Sequence, residues 1–125
     1  MVKFAYLLVR IYNHIMKFTV KTGYKFDRGD IKGFSYNTKD QFSRMSAAFF
    51  TCNGKHPKMR AINSDRLYLI LKGRGHFNIN DKKIMVKEKE VIVVPKNTPY
   101  SYEGKMECFL VHSPAFDKSQ EVRYE

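Results

Sequence analysis

From Lys17 onward the chain repeats one pattern: short runs of alternating apolar and polar residues, separated by turn-forming residues. "KFTV" alternates, "GFSYN" follows a Gly-Asp turn, and "MSAAFFTC" is an almost continuous apolar run. "RLYLILKG" gives way to "GHFNIN", the turn "NDKK" leads into "IMVKE", and "EVIVVP" and "ECFLVHS" complete the set. Side chains on a strand alternate between its two faces, so each run reads as a strand with one face toward a core. Turn signals recur roughly every eight to twelve residues, the spacing of sandwiches and barrels. "FNINDKKIMV" predicts a hairpin with its turn at Asn80–Lys82. Pro95 ends "VIVV", because proline has no N–H to give to a ladder. Gly73 and Gly75 flank Arg74 where the chain is expected to swing between strands. This Gly-x-Gly has no βαβ unit around it and no third glycine, so it reads as a corner rather than a phosphate loop. No run after residue 15 keeps a helical period, and there is no repeat or linker. The pattern predicts one all-β domain over residues 16–125.

Residues 1–15, "MVKFAYLLVRIYNHI", depart from this pattern. Their apolar run, Phe4–Val9, is broken by Arg10, far short of the ~20 residues that a membrane span needs. No small-residue cleavage site of a signal peptide follows. "MKFTVKTGYKF" reads as a natural start, so the expectation is translation from Met16, with residues 1–15 an upstream extension or a loosely packed terminal helix.

Composition narrows the class. A chain of 125 residues can bury its own core, and 43% hydrophobic with 14% aromatic residues excludes a disordered chain. Cys52 and Cys108 form neither a CxxC pair nor a disulfide framework; read as reduced core residues, they make the cytoplasm the default location. Lysine and arginine outnumber acids by 23 to 12, and the net charge of +11 favours anionic partners. The lysines are scattered rather than gathered into a basic helix or arm, and no RNA-stacking motif accompanies them. A solvated surface accounts for them, and nucleic acid is the weakest partner reading.

The order of "LKGRGHFNIN", the hairpin, "KEKEVIVVPKNTPYSYEG" and "CFLVHSP" resembles the small single-domain cupins over about residues 33–116. The resemblance implies a jelly-roll barrel, the double-stranded β-helix, with a ligand cup at one mouth. The family's first motif runs glycine, five residues, His-x-His, three or four residues, glutamate, six residues, glycine. Gly54 and Gly73 frame the same length, and counting from them puts Arg60, Ile62 and Arg66 at the ligand positions. In the second motif Pro95 is kept, Lys89 and Asn97 stand at glycine positions, and Tyr100 replaces the histidine. Asn97 suits a left-handed turn. Arginine offers a metal no lone pair, isoleucine has no donor atom, and tyrosine binds only as phenolate. No metal and no other cofactor is therefore expected here.

The candidate ligand contacts are Arg60, Arg66, Tyr68 and Tyr100, with Lys58 and Arg44 near the same edges. Guanidinium forks suit carboxylate and phosphate, and tyrosines suit sugars, so the expected partner is a small anionic or sugar-like molecule. The bland alternatives are surface or ion-paired arginines, with Arg66 against Asp65 or against Asp and Glu from other strands, and a Tyr68 that is merely core. The candidate acids and bases are Tyr100 and His112; the direction of His112 on its strand stays open. His56 reads as an exposed loop histidine, with a base role a lesser alternative, and His76 as facing solvent or an interface. The leading function is a metal-free cupin binding module. A metal-independent sugar phosphate or nucleotide-sugar isomerase or epimerase comes second, for want of an obvious base. Apolar residues on both faces of "LYLIL" and "VIVV" suggest a homodimer, as the resemblance also does.

Overall fold

A computed structural model describes residues 16–124; the expectations for residues 1–15 lie outside the described residues. The chain folds as a small cupin-like jelly-roll barrel whose strand pairs are all antiparallel. Its strands are β1 (Tyr24–Asp27), β2 (Ile31–Ser35), β3 (Ser46–Ala61), β4 (Asp65–Ile79), β5 (Lys82–Lys87), β6 (Val91–Val94), β7 (Tyr100–Ser113) and β8 (Glu121–Arg123). They hydrogen-bond in the order β1-β2-β3-β7-β4-β5, with β6 added on β4 and β8 on β3. No helix among the described residues is long and apolar enough to cross a membrane.

Three expectations about elements change. "KFTV" is not a strand: Thr22 Oγ1 donates to the Thr19 carbonyl at 2.8 Å and accepts the Thr19 N–H at 2.9 Å, closing a turn. Threonine hydroxyls compete with a ladder in this way. "RLYLILKG" and "GHFNIN" are one strand, so Gly73 and Gly75 lie within β4 rather than between strands. Gly73 has φ +82°, and a Cβ there would stand 2.1 Å from the Lys105 carbonyl oxygen, so only glycine lets β7 pass. His56, expected in a loop, lies in β3 and is buried.

Other turn chemistry holds. Asn80 and Asp81 take φ of 50° and 64°, the positive pair of a two-residue hairpin turn between β4 and β5. Lys89 and Asn97, the residues at the family's glycine positions, both have positive φ, at 73° and 58°.

β3, β4 and β7 each run through the whole barrel, and their inward positions make the core. Phe50, Tyr68, Phe77, Tyr100 and Tyr102 form its aromatic centre, with Phe77 and Tyr102 stacked at 4.8 Å and Tyr68 edge-on to Phe77 at 5.0 Å. Cys52 and Cys108 are buried free thiols within it, and burial pushes Cys108 up to about 12. Leu67, Val91 and Val93 are exposed on the outer face of β4 and β6, the strands singled out for pairing between copies.

Candidate functional site

A simple alternation explains most of what reaches the interior. On β4, Arg66, Tyr68 and Ile70 share the inward face, and on β7 so do Tyr100, Tyr102, Leu110 and His112. The direction left open for His112 is therefore inward. On β3 the alternation breaks. His56 pairs with Tyr102 and Met59 with Tyr100, so three steps along β3 match two along β7. One extra residue in a strand inverts the facing of everything after it. Pro57, which lacks an N–H, sits in that bulge. The break lets His56 and Met59 both point inward and turns Arg60 out.

This overturns the expected inward facing of Arg60. Its Nε donates to Asn97 Oδ1 at 3.1 Å and its Nη1 to the Tyr124 hydroxyl at 3.4 Å, both on the outside. Lys58 is exposed beside Asp81 and lies over the Tyr124 ring at 5.1 Å, and Ile62 is exposed as well. Arg44 packs on the Phe42 ring at 4.8 Å, beside an outer groove. Of the six residues expected to touch a ligand, the structure brings together three: Arg66, Tyr68 and Tyr100.

Two of these, Arg66 and Tyr68, line a cup of about 530 Å³, the open solvent at its mouth included. Arg66, Tyr68, His56 and His112 lie in its wall, Met59 and Leu110 give it apolar surface, and Arg28 stands exposed at its rim. Tyr100 supports this wall from behind. Its hydroxyl accepts from Arg66 Nη1 at 2.9 Å and meets the Tyr68 hydroxyl at 2.7 Å. Arg66 Nη2 donates to Glu121 Oε2. Glu121 arrives on β8, which pairs with the last residues of β3, Met59–Ala61. Of the ion-pair partners weighed for Arg66, Asp65 is not the one, since its carboxylate accepts the Lys96 N–H; an acid from another strand, Glu121, is.

The result is a buried line Glu121–Arg66–Tyr100–Tyr68. Burial opposes the charge on Arg66, but Tyr100, Tyr68 and Glu121 outweigh it and raise the guanidinium pKa. Burial also holds the Tyr68 phenol far above its ordinary range, so it stays protonated. One atom is left over. Arg66 Nε is buried and has no hydrogen-bond partner.

Burial favours the uncharged form of both cup histidines, His56 and His112. His56 Nδ1 lies 2.8 Å from the Pro57 carbonyl oxygen, which can only accept, so Nδ1 carries the hydrogen and Nε2 keeps its lone pair. The ring stacks on Tyr102 at 4.7 Å. Burial, with help from Arg66, lowers its pKa to about 4. His112 is also held well below its ordinary value by burial. Its Nδ1 is 3.4 Å from Ser46 Oγ, which itself accepts the Phe116 N–H at 2.9 Å.

The cup does not fit a divalent metal. Glu121, a carboxylate in its wall, is taken up by Arg66, and a fixed guanidinium occupies the interior. Among the described residues no group of three His, Cys, Asp or Glu side chains gathers to hold one.

Sequence reasoning undervalued His56 and missed Glu121. The Pro that follows His56 suggested a loop, although proline also marks a bulge. Glu121 carries no local signal, because its partner is 55 positions away in the chain.

Comparison with solved structures places the fold. Pac13 of Streptomyces, described as a nucleoside dehydratase, superposes with a TM-score of 0.79 at 25% identity over 89% of this chain and 92% of that one. Its variants with tyrosine changed to phenylalanine, or histidine to glutamine, were solved with uridine and superpose with a TM-score of 0.80 at 24% identity. KdgF of a Halomonas species superposes at 0.71 with 13% identity, over 84% of this chain and 98% of that one. The cupin domain of Schizosaccharomyces pombe Cnp3 follows at 0.65 and 16%, over 79% and 74%. No protein-family model matches the sequence, and no curated protein does. Fold and cup together define a cupin-like barrel with an open cup at one end of its interior.

Proposed function

We propose that the cup binds a small hydroxylated ring compound, of the sugar or nucleoside type, and performs acid–base chemistry on it. His56 Nε2 is the base. The observation that carries this reading is the fixed, uncharged tautomer of His56, whose Nδ1–H is engaged by the Pro57 carbonyl in the wall of the cup. A base that is unprotonated at neutral pH, within a largely apolar pocket, suits removal of a proton from carbon beside a carbonyl. The carbonyl oxygen gains charge as that proton leaves and needs hydrogen-bond donors. Tyr68 and Arg66, the latter with its Nε–H unpartnered, line the same wall and would supply them. The proton held on His56 can then return to a neighbouring carbon, which is isomerisation, or protonate a β-hydroxyl that departs as water, which is dehydration.

The likeness to Pac13 supports this reading. The residue types altered in its uridine-bound variants, one histidine and two tyrosines, are the types that converge here. The expectation of an anion held by two arginines narrows accordingly. One of the two is outside, and the other is already paired; an anionic group would have to meet Arg28 at the rim.

The test is a panel of carbonyl-bearing sugars, uronates and nucleosides incubated with the protein in deuterated water and followed by NMR. One class should take up deuterium or lose water, and His56→Gln should abolish this while still being thermally stabilised by uridine or by that class. If no member stabilises the protein and none exchanges, the reading is wrong.

A further inference from the structure

The pairing of Arg66 with a residue from the far end of the chain has a consequence for what the cup accepts. Arg66 is 5% exposed, and its guanidinium and the Glu121 carboxylate are almost completely enclosed. Nη2 is spent on Glu121 and Nη1 on Tyr100, with the Met59 sulfur at 3.8 Å from Nη1. Of the three guanidinium nitrogens, Nε is the one with no partner. A buried N–H without an acceptor is costly and rare, and Arg66 lines the cup, so the missing partner points to an acceptor that an entering ligand supplies.

The nature of that acceptor follows from the charge. A carboxylate or phosphate is best held by the two-pronged edge of a free guanidinium. Here one prong is already occupied by a carboxylate, and a second anion would stand against Glu121 in a poorly solvated space. Like charges brought together in such surroundings repel strongly. A hydroxyl or carbonyl oxygen carries no such penalty and needs only one donor.

We infer that Glu121 is a specificity-determining residue: by taking up the charge of Arg66 it leaves Nε–H to bind an uncharged oxygen, and excludes anionic groups from the depth of the cup. β8 is therefore part of the binding machinery. The strand closes the barrel beside Met59–Ala61 and also delivers the carboxylate that sets the charge of the pocket. The inference rests on the reading of this cup as the ligand site, and its test does not depend on knowing the ligand.

The experiment uses the full chain labelled with nitrogen-15 and follows the Arg66 Nε–H resonance during titration with sodium sulfate at constant ionic strength. In the wild type the resonance should stay in place through millimolar sulfate. In Glu121→Gln it should move saturably, with sulfate affinity at least tenfold higher than any seen in the wild type. Saturable sulfate binding at Arg66 in the wild type overturns the inference, and that arm needs no variant, so a Glu121→Gln chain that fails to fold leaves it decisive. A folded Glu121→Gln chain that still ignores sulfate overturns it as well. Failure of the proposed chemistry would show instead in the sugar and nucleoside panel, with the sulfate result unchanged.

Discussion

Two regions of the barrel interior are walled by the same three strands, yet one is sealed and the other opens into a cup that holds polar side chains. In the sealed half the inward positions of β3, β4 and β7 hold Cys52, Ile70, Phe77, Met106 and Cys108. In the open half the same strands present His56, Arg66, Tyr68 and His112. What differs is which residue falls on the inward phase, shifted in β3 by the bulge after His56, and whether a polar side chain arriving there finds a partner. Tyr100 and Glu121 supply partners for Arg66, and the Pro57 carbonyl supplies one for His56, so polar groups persist inside a barrel that otherwise excludes them.

The contrast can be broken most forcefully at the ion pair. Glu121→Ala should cost about 3–5 kcal/mol in urea denaturation, because it leaves a buried guanidinium without its counter-charge. Phe77→Ala, in the sealed half and 0% exposed, should cost a similar ~3–5 kcal/mol through the cavity it opens. The two should differ in their side effects: Phe77→Ala keeps the ligand preference of the cup, and Glu121→Ala alters it.

His56→Gln should lower turnover on the responsive substrate class about 100-fold or more, the scale of a lost general base, while shifting the denaturation midpoint little. The His56 pKa near 4 also sharpens the comparison through pH. Turnover should be flat from about pH 5 to 8, without the inflection near 6.5 of an ordinary histidine. For stability, the unfolded chain binds the His56 proton below about 6.5, while the folded one refuses it until about 4. The unfolded state thus carries more protons in that window, so stability falls as pH drops from 6.5 toward 4, by about 3 kcal/mol from this group. His112, depressed in the same direction, adds to the fall. Chemical denaturation at pH 7 and pH 4.5 measures it; equal stability at both would remove the claim that these rings are buried uncharged.

The smallest effect belongs to the arginine that missed the cup. Arg60→Ala should leave ligand binding and turnover within twofold, and stability within about 0.5 kcal/mol, as for most surface changes. A large loss of binding would mean that Arg60 reaches a ligand after all.

Much of the frame was legible from the amino acids alone. Alternation, the Asn80–Asp81 turn and the positive-φ position of Asn97 are local properties, set by period-two side-chain geometry and by residues that tolerate unusual backbone angles. The sharing of one face by Arg66 and Tyr68 on a strand was equally readable, whereas two of the positions counted for family ligands, Arg60 and Ile62, lie on the outside. What only the tertiary structure decided is the phase of β3 and the company that Arg66 keeps. A single bulged residue at Pro57–Lys58 puts Met59 rather than Arg60 on the inward side beyond His56, and no count along one strand reveals an insertion that exists only relative to β7. Glu121 lies far along the chain from Arg66, and their meeting depends on β8 pairing with β3, a contact between segments distant in sequence. Local patterns carry strands and turns; charge pairing across the barrel is decided only when the strands close.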